Sequence, residues 1–318
     1  MIKKKNLFLI ITLIIFELLI LFNSKVLINS TKDALNLFIN KLFISLFPFF
    51  VLNKILINYN LQGYLSKLKL NIINKTLNIS NNDLTIIILS LLSGMPSNAE
   101  YIKDALNNKI INIKEAERIL LISFFPSPVF VITVIGYLNF NSIKIGIILL
   151  LIVYLSNFIL GIITRNKYKV NKKNIIPENI INNKFMVVLK DSIISSINSL
   201  IIILGNLVIF SIILGIINNY LNLNIIQNSI LSSLLELTNA TKKVSLITNF
   251  NIKFSLNLFA LIFSGFSILS QASSILSEYN INFKKIILYK LITASVISFV
   301  SLILLNFLNH LCLLYSLF

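Results

Sequence analysis

Apolar runs fill most of this chain, and four of them are interrupted near their middle by a short polar or proline-containing break. The breaks are Ser93–Asn98, Phe125–Pro128, Thr238–Thr241 and Ser264–Ser267. Irregular backbone at membrane depth is tolerated only where it is buried in protein or lines a cavity. Interrupted helices in corresponding positions of two halves are typical of transporter substrate sites. The pattern therefore predicts that the four breaks together form one internal site.

The uninterrupted apolar runs predict full membrane spans. They cover about Leu7–Phe22, Ala34–Ile57, Ile143–Ile163, Ile193–Ile217 and Ile286–Phe307. A polar link through Lys25, Lys32 and Asp33 is expected between the first two spans, and Pro48 should kink the second. The N-terminal run resembles a signal peptide but lacks a small-residue cleavage site, so we expect an uncleaved span.

Two shorter apolar stretches predict re-entrant helical hairpins. Leu84–Leu92 is too short to cross a bilayer, and an amphipathic stretch, Ala99–Leu106, follows its break. Gln227–Leu237 and Lys242–Ile247 flank the third break in the same way. The second and fourth breaks interrupt longer apolar runs and predict broken spans. Each half then reads span, hairpin, broken span, span.

This order divides the chain into four parts. Residues 1–33 form an N-terminal transmembrane helix and link, 34–164 a first repeat, 165–190 a basic connector, and 191–318 a second repeat. Cytoplasmic loops carry an excess of Lys and Arg, so the connector and the N-terminus are predicted to be cytoplasmic, and the uncharged loop Asn218–Asn228 external. The expected fold class is an all-α polytopic membrane protein with inverted repeats, re-entrant helical hairpins and broken transmembrane helices.

Composition supports a bilayer as the solvent. Of 318 residues, 56% are hydrophobic and 12% charged, which excludes a soluble domain of this size. The net charge of +17 comes from cations clustered in loops, which indicates orientation signals and contacts with anionic membrane lipids rather than nucleic acid. The expected partners are lipids and a small-molecule substrate, and assembly into a homo-oligomer stays open. The single cysteine, Cys312, excludes an intrachain disulfide.

The residues indicate binding rather than catalysis. The sequence has one histidine, His310, and contains no paired-carboxylate motif, P-loop or metal-ligand spacing, so we expect no enzyme, metal or cofactor. Helix starts at the breaks leave backbone amides free and suit an anionic group. The predicted substrate-binding residues are Ser93, Gly94, Pro96, Ser97, Asn98, Pro126, Ser127, Pro128, Thr238, Asn239, Gly265, Ser267 and Ser270.

Four acidic residues lie close to helix starts or breaks. Glu236 stands beside the third break, and two interpretations stay open: a coupling or gating role, since intramembrane carboxylates are costly, or a cap on backbone amides. Glu100 follows a helix start and is expected to contribute capping electrostatics. Glu115 and Glu117 precede Arg118 and are expected to be solvated.

Five motifs in order resemble the YlbJ-type sporulation integral membrane proteins, of the nucleoside-recognition gate domain group. They are Phe47–Leu52, Ser93–Glu100, Glu115–Leu120, Glu236–Ala240 and Gly265–Ser270. The resemblance runs from about residue 34 to the C-terminus. Asn98, Glu100 and Ala240 stand where the family pattern has Gly, Lys and Gly.

The resemblance implies a role in spore formation, the movement of dipicolinate from mother cell toward forespore, and a fold similar to concentrative nucleoside transporters. We therefore expect a transporter of a small organic anion, with dipicolinate first, in the cell membrane or the outer forespore membrane. Two alternatives stay open: a nucleoside or other small-solute carrier of the same fold, and a non-transporting membrane protein of spore assembly.

Overall fold

The computed structural model describes residues 4–59, 64, 71–165 and 184–315, and every regular element within them is a helix. In chain order the elements are α1 (Lys4–Phe22), α2 (Ser24–Leu37), the π-helix π1 (Phe38–Phe43), α3 (Ile44–Asn58), α4 (Asn71–Leu77), α5 (Asn81–Ser93), α6 (Ser97–Asn107), α7 (Ile113–Ile122), the π-helix π2 (Phe130–Asn139), α8 (Ile143–Thr164), α9 (Phe185–Leu221), α10 (Ile225–Leu235), α11 (Leu237–Ser245), α12 (Phe250–Phe263), α13 (Gly265–Ile275) and α14 (Phe283–Tyr315). The all-α prediction is confirmed.

Four described helical segments are long and apolar enough to cross a membrane: Ile143–Thr164, Phe185–Leu221, Phe250–Ile275 and Phe283–Leu308. A fifth is added if α1 and α2, which meet at a bend of 92°, count as one span. Large apolar side chains on these helices point outward; Leu155 on α8 is 59% exposed. Such surfaces suit lipid, so the chain is an all-α polytopic membrane protein.

The predicted polar link between the first two spans is helical. Residues 24–37 form α2, which follows α1 after one residue and packs along α9. A Cβ added to Gly215 would lie 2.3 Å from the Ser30 hydroxyl oxygen, so glycine allows this close helix approach. The Asp33 carboxylate pairs with the Lys242 ammonium at 2.9 Å. The polar residues of this segment therefore contact the second half instead of forming a loop.

Helical structure continues from α2 through π1 into α3, which contains Pro48. Proline lacks the amide that would bond to the carbonyl of Ile44. The π-helical turns of Phe38–Phe43 lie just before it, and such turns are frequent at functional sites. Leu42, at the end of π1, and Leu46 face the cavity described below.

Both predicted hairpins are present as packed helix pairs. In the first, α5 contacts α6, and in the second α10 contacts α11. Each hairpin begins with a capping box, formed by Ser80 with Asp83 and by Asn224 with Gln227. These caps satisfy the first amides of α5 and α10 and fix where each hairpin starts.

The two halves pack through corresponding pairs of elements. Within the halves, α3 contacts α5 as α9 contacts α10, and each hairpin contacts its own broken span. Between the halves, α6 contacts α13 as α11 contacts π2, and α7 contacts α14 as α12 contacts α8. Each hairpin therefore reaches the broken span of the other half, and all four breaks meet near the α3–α9 contact.

The predicted connector lies mostly at residues 166–183, outside the described residues. Helix α9 begins at Phe185, so the last residues of the expected connector are helical.

Candidate functional site

The tip of the first hairpin is a three-residue turn that packs against the first broken span. Helix α5 ends at Ser93, and Gly94 has φ +79° and ψ 178°, a conformation that favours glycine. A Cβ at Gly94 would lie 2.7 Å from the Ser127 nitrogen. The Met95 amide donates to the Phe125 carbonyl at 2.8 Å. Glycine therefore meets two requirements, a left-handed backbone and a close approach.

The first broken span is non-helical over residues 123–127, between α7 and the helical turn that leads into π2. Neighbouring elements satisfy its carbonyl groups. The Phe124 carbonyl accepts from the Asn157 side-chain amide at 3.0 Å, and the Ser127 carbonyl accepts from the Val131 amide at 3.1 Å. This non-helical backbone is therefore buried in protein, as membrane depth requires.

The second hairpin breaks at one residue, Glu236, with φ −152° and ψ 125°. Its carboxylate accepts from the Asn239 amide at 2.6 Å and so caps α11. The predicted break at Thr238–Thr241 lies two residues too late, because Thr238 and Asn239 already form the first turn of α11. The Asn239 side-chain amide donates to the Ser211 hydroxyl at 2.8 Å.

The second broken span is interrupted at Ser264, whose φ is +74°. Gly265 begins α13 with φ +77°, and a Cβ there would lie 3.1 Å from the Leu235 carbonyl and 3.2 Å from the Glu236 Cα. The fourth break thus packs directly on the second hairpin tip, as the second break packs on the first tip.

A cavity of about 60 Å³ lies where these breaks meet. Its lining residues are Leu42, Leu46, Phe50, Met95, Pro96, Pro126, Ser127, Phe130, Ile203, Glu236, Leu237, Thr238, Ser267, Ile268 and Gln271. A single water needs about 10–15 Å³ measured this way, so the space suits a few waters. Glu236 is the one ionisable residue among these lining residues.

Four helix starts converge on this cavity. Pro96 immediately precedes α6, Ser127 precedes the turn that leads into π2, and Thr238 lies in the first turn of α11. Ser267 lies in the first turn of α13. Each helix start carries partial positive charge, which favours a negatively charged group. The Glu236 carboxylate offsets this charge at α11 only.

One buried polar atom in the cavity wall lacks a partner. The Gln271 side-chain nitrogen donates to the Ser267 hydroxyl at 3.3 Å, while its side-chain oxygen has no hydrogen-bond partner among the described residues. Buried polar atoms normally have partners. Gln271 is therefore placed to bond with a polar group in the cavity.

Six predicted site residues line the cavity: Pro96, Pro126, Ser127, Glu236, Thr238 and Ser267. Eight predicted site residues do not line it: Ser93, Gly94, Ser97, Asn98, Pro128, Asn239, Gly265 and Ser270. Several of these eight support the breaks instead. Asn98 donates to the Ser123 hydroxyl at 3.3 Å and Ser93 to the Leu89 carbonyl at 2.9 Å. Ser270 is exposed and donates to the Ser267 carbonyl.

The cavity also includes residues that the sequence prediction omitted. Leu42, Leu46 and Phe50 come from the second predicted span, and Ile203 from α9. The Phe47–Leu52 motif lies in that span and was the available signal. Gln271 directly follows the predicted Ser270, one helical position away on the buried face.

The charged residues near the first hairpin are more buried than expected. The prediction that Glu115 is solvated is wrong: it is 4% exposed and forms a capping box with Asn112. Glu117 accepts from the Asn282 amide at 2.9 Å, in the loop before α14. Arg118 is buried and donates to the carbonyls of Leu77, Asn78 and Gly161.

Glu100 lies in the first turn of α6, as expected, and also forms an ion pair with Lys54 on α3. Lys290, a fully buried cation in α14, escaped the sequence prediction because nothing in its apolar run distinguishes it from an interfacial lysine. The side chains of His310 and Cys312 lie outside those that the structure describes.

Comparison with known proteins agrees with the motif resemblance. The chain is similar to the sporulation integral membrane protein YlbJ of Bacillus subtilis (strain 168), with 23% identity over 302 residues. The match covers 83% of this chain and 74% of that protein. No family model matches the chain, and no solved structure matches it. The predicted family-level resemblance is confirmed, and the chain is an integral membrane homologue of a sporulation protein.

Proposed function

We propose that this protein carries a small organic anion across the membrane, with dipicolinate as the first candidate. The observation that carries the proposal is the convergence of four helix starts on one cavity at the junction of the two halves. Aligned backbone amides at these starts attract negative charge in surroundings that exclude water. A membrane protein without a solute to bind has no need for four such breaks.

The cavity wall offers complementary chemistry for a planar aromatic dicarboxylate. Phe50 and Phe130 supply apolar ring contacts, and Ser127, Thr238 and Ser267 supply hydroxyl donors. Ligand sites commonly combine a mostly apolar wall with a few polar groups that fix orientation. Each carboxylate of the solute would face a helix start, and the ring would lie between the aromatic side chains.

A cavity of about 60 Å³ is too small for such a solute, so the carrier must open. Polar contacts hold its two ends. At one end α6 is joined to the segment before α14 by the Lys103–Glu278 ion pair at 2.7 Å and the Tyr279–Asn107 hydrogen bond. At the other end Asn139 donates to the Thr241 carbonyl at 3.0 Å.

These two sets of contacts supply two gates. Releasing the contacts at one end while keeping those at the other would open the site to one side of the membrane. The two halves pack in corresponding ways, which supports an inverted repeat. In such a repeat, each gate lies between a hairpin of one half and the end of the broken span of the other half, or the segment that follows it. The N-terminus and the basic connector are proposed to be cytoplasmic.

Glu236 is proposed to gate the site rather than to contact the anion. Its carboxylate borders the cavity, where a negative charge would repel an anionic substrate. It also fixes the start of α11 through the Asn239 amide and lies against Gly265. Movement of Glu236 with the start of α11 would therefore shift both breaks of the second half together.

A second candidate solute is a nucleoside. Gln271 presents an amide whose oxygen has no partner among the described residues, and an amide can both donate to and accept from a nucleobase or ribose. The same fold could serve either solute, so transport must be measured for both.

The test is uptake by purified protein in liposomes, with dipicolinate and uridine as separate probes. We expect saturable uptake of dipicolinate that exceeds that of uridine. Ligand at 100 times its dissociation constant should also stabilise the protein by about 2.7 kcal/mol, seen as a raised melting temperature in detergent. Greater uptake of uridine than of dipicolinate would instead support a nucleoside carrier. Failure of both probes to be taken up would leave a non-transporting role in spore assembly.

A further inference from the structure

The last span contains a lysine that the described protein buries completely. Lys290 lies in α14 and has 0% exposure. Its ammonium nitrogen donates to the Asn157 side-chain oxygen on α8 at 3.0 Å and lies 5.4 Å from the centroid of the Phe124 ring. An ionisable side chain inside a membrane is costly and marks a functional position by default.

The partners of Lys290 are few for an ammonium group. An ammonium carries three hydrogen-bond donors, and the described residues provide one acceptor and one aromatic face. Within the described part of the chain, no carboxylate lies within ion-pair distance of it. A buried charge with so little compensation is costly to keep in the membrane interior.

Charged and titratable groups on the elements around Lys290 are engaged or exposed. On α7, Glu115 bonds with Asn112, Glu117 with Asn282, and Arg118 with backbone carbonyls, while Lys114 is exposed. On α12, Lys253 lies over the Phe140 ring. The remaining groups are Lys144 and Tyr154 on α8 and Lys284, Lys285 and Tyr289 on α14 itself.

Two hydrogen bonds connect Lys290 to the backbone of the segment that borders the cavity. Asn157, which accepts from Lys290, donates through its side-chain nitrogen to the Phe124 carbonyl at 3.0 Å. The next carbonyl, that of Phe125, accepts from the Met95 amide at 2.8 Å. Met95 and Pro126 both line the cavity. Lys290 therefore contacts one side of the non-helical segment 123–127, and the other side of that segment faces the proposed substrate.

We propose that Lys290 is a positioning residue that couples proton binding to movement of the second break, at residues 123–127, so that solute transport is linked to protons. This inference rests on the proposed carrier function. It goes beyond that proposal by naming the coupling ion and the residue that carries it.

In each transport cycle, Lys290 binds one proton and releases one proton. When Lys290 is protonated, its ammonium donates to the Asn157 side-chain oxygen, and the Asn157 side-chain nitrogen donates to the Phe124 carbonyl. Loss of the proton to water on one side of the membrane leaves a neutral amine, which is a weaker donor. Asn157 is then free to turn, and the Phe124 carbonyl loses its partner. An unpaired carbonyl is unfavourable at membrane depth, so the non-helical segment 123–127 shifts.

The test uses full-length protein in liposomes, with the membrane potential clamped at zero by potassium and valinomycin and a pH-sensitive dye inside. Dipicolinate and uridine are the probes. For wild type, we expect solute entry to move protons, and a pH difference of one unit to drive about tenfold accumulation per coupled proton. Solute entry without proton movement in wild type would overturn the role of Lys290 while leaving the carrier function intact.

The decisive variant is Lys290→Gln, whose amide can still donate to Asn157 but cannot carry a proton. We expect solute counterflow to persist while pH-driven accumulation falls from about tenfold to about equal concentrations. Lys144→Gln, on the exposed start of α8, is the matched control and should accumulate solute like wild type. Full pH-driven accumulation by Lys290→Gln would overturn the proposal. If this variant does not fold, Asn157→Ala, which removes the link between Lys290 and the Phe124 carbonyl, should likewise lose pH-driven accumulation, and full accumulation would overturn the proposal. Absence of uptake of both probes would overturn the carrier function and the coupling role with it.

Discussion

Replacing Gly94 with alanine should destabilise the protein and impair transport, because two independent constraints meet at this residue. Its φ of +79° with ψ of 178° belongs to a region that is essentially restricted to glycine. Backbone strain of this kind costs about 1–3 kcal/mol. The new Cβ would also lie 2.7 Å from the Ser127 nitrogen and 2.8 Å from its Cα, which are backbone atoms that cannot rotate away.

Overpacking of this severity typically adds about 1–3 kcal/mol, so the expected total is roughly 2–6 kcal/mol. Folded domains are stable by only about 5–15 kcal/mol. Relief would come from moving the tip away from Ser127, which lines the cavity. We therefore expect a lower melting temperature in detergent together with weaker solute binding.

Gly205→Ala provides the matched control. Gly205 lies inside α9, and a Cβ there would meet nothing within 4 Å. Alanine in a helix interior is favoured over glycine by roughly 0.5–1 kcal/mol, so this variant should be at least as stable as wild type. The assay compares both variants by thermal unfolding and by uptake in liposomes. Equal stability and uptake in the two variants would refute the packing of the first tip on the first broken span.

Three further predictions address charge and topology. Glu236→Gln keeps the shape of the proposed gate but weakens its cap on α11, so we expect substrate binding to persist while the rate of uptake falls; full uptake would leave Glu236 as a helix cap. Reversing one member of the Lys103–Glu278 pair should speed opening at that end, measured as faster cysteine labelling of the cavity, and exchanging both residues should restore the wild-type rate; equal labelling in all three would exclude a gate there. Lys173→Cys, in an otherwise cysteine-free protein, should resist an impermeant thiol reagent in intact cells, and labelling from outside would contradict the inverted topology.

The sequence predicted the helices and their breaks well because both depend on local chemistry. Gly94, Pro126 and Ser264 interrupt apolar runs, and each lies at or next to a break in the structure. The third break was placed two residues late. Thr238 and Asn239 look like a polar tip in the sequence. In the structure the Glu236 carboxylate accepts a hydrogen bond from the Asn239 amide, and this cap places both residues in the first turn of α11. Caps of this kind depend on one side chain and are difficult to locate from hydropathy.

Long-range contacts limited the prediction of the site. Asp33 looks like part of a loop until Lys242, more than two hundred residues away, provides its partner. Lys290 looks interfacial until Asn157 and Phe124 enclose it. Hydropathy reports whether a residue suits water or lipid, and it does not report which distant residue will contact it. For a related reason, the predicted site residues Gly94 and Gly265 do not line the cavity. Their role is to let two backbone segments approach each other.

The two halves pack alike, yet they support their breaks by different chemistry. Counted from the helix start, Lys290 is the eighth residue of α14 and Leu150 is the eighth residue of α8. Helix α14, which contacts the second break, thus carries a cation, and the corresponding position of α8 carries an apolar side chain. The breaks of the second half depend instead on the Glu236 cap and on its contact with Gly265. In an inverted repeat these two supports would act on opposite gates. Under the proposed coupling, protonation would therefore bias one gate and leave the other to the carboxylate, so the two gates would respond differently to the same proton gradient.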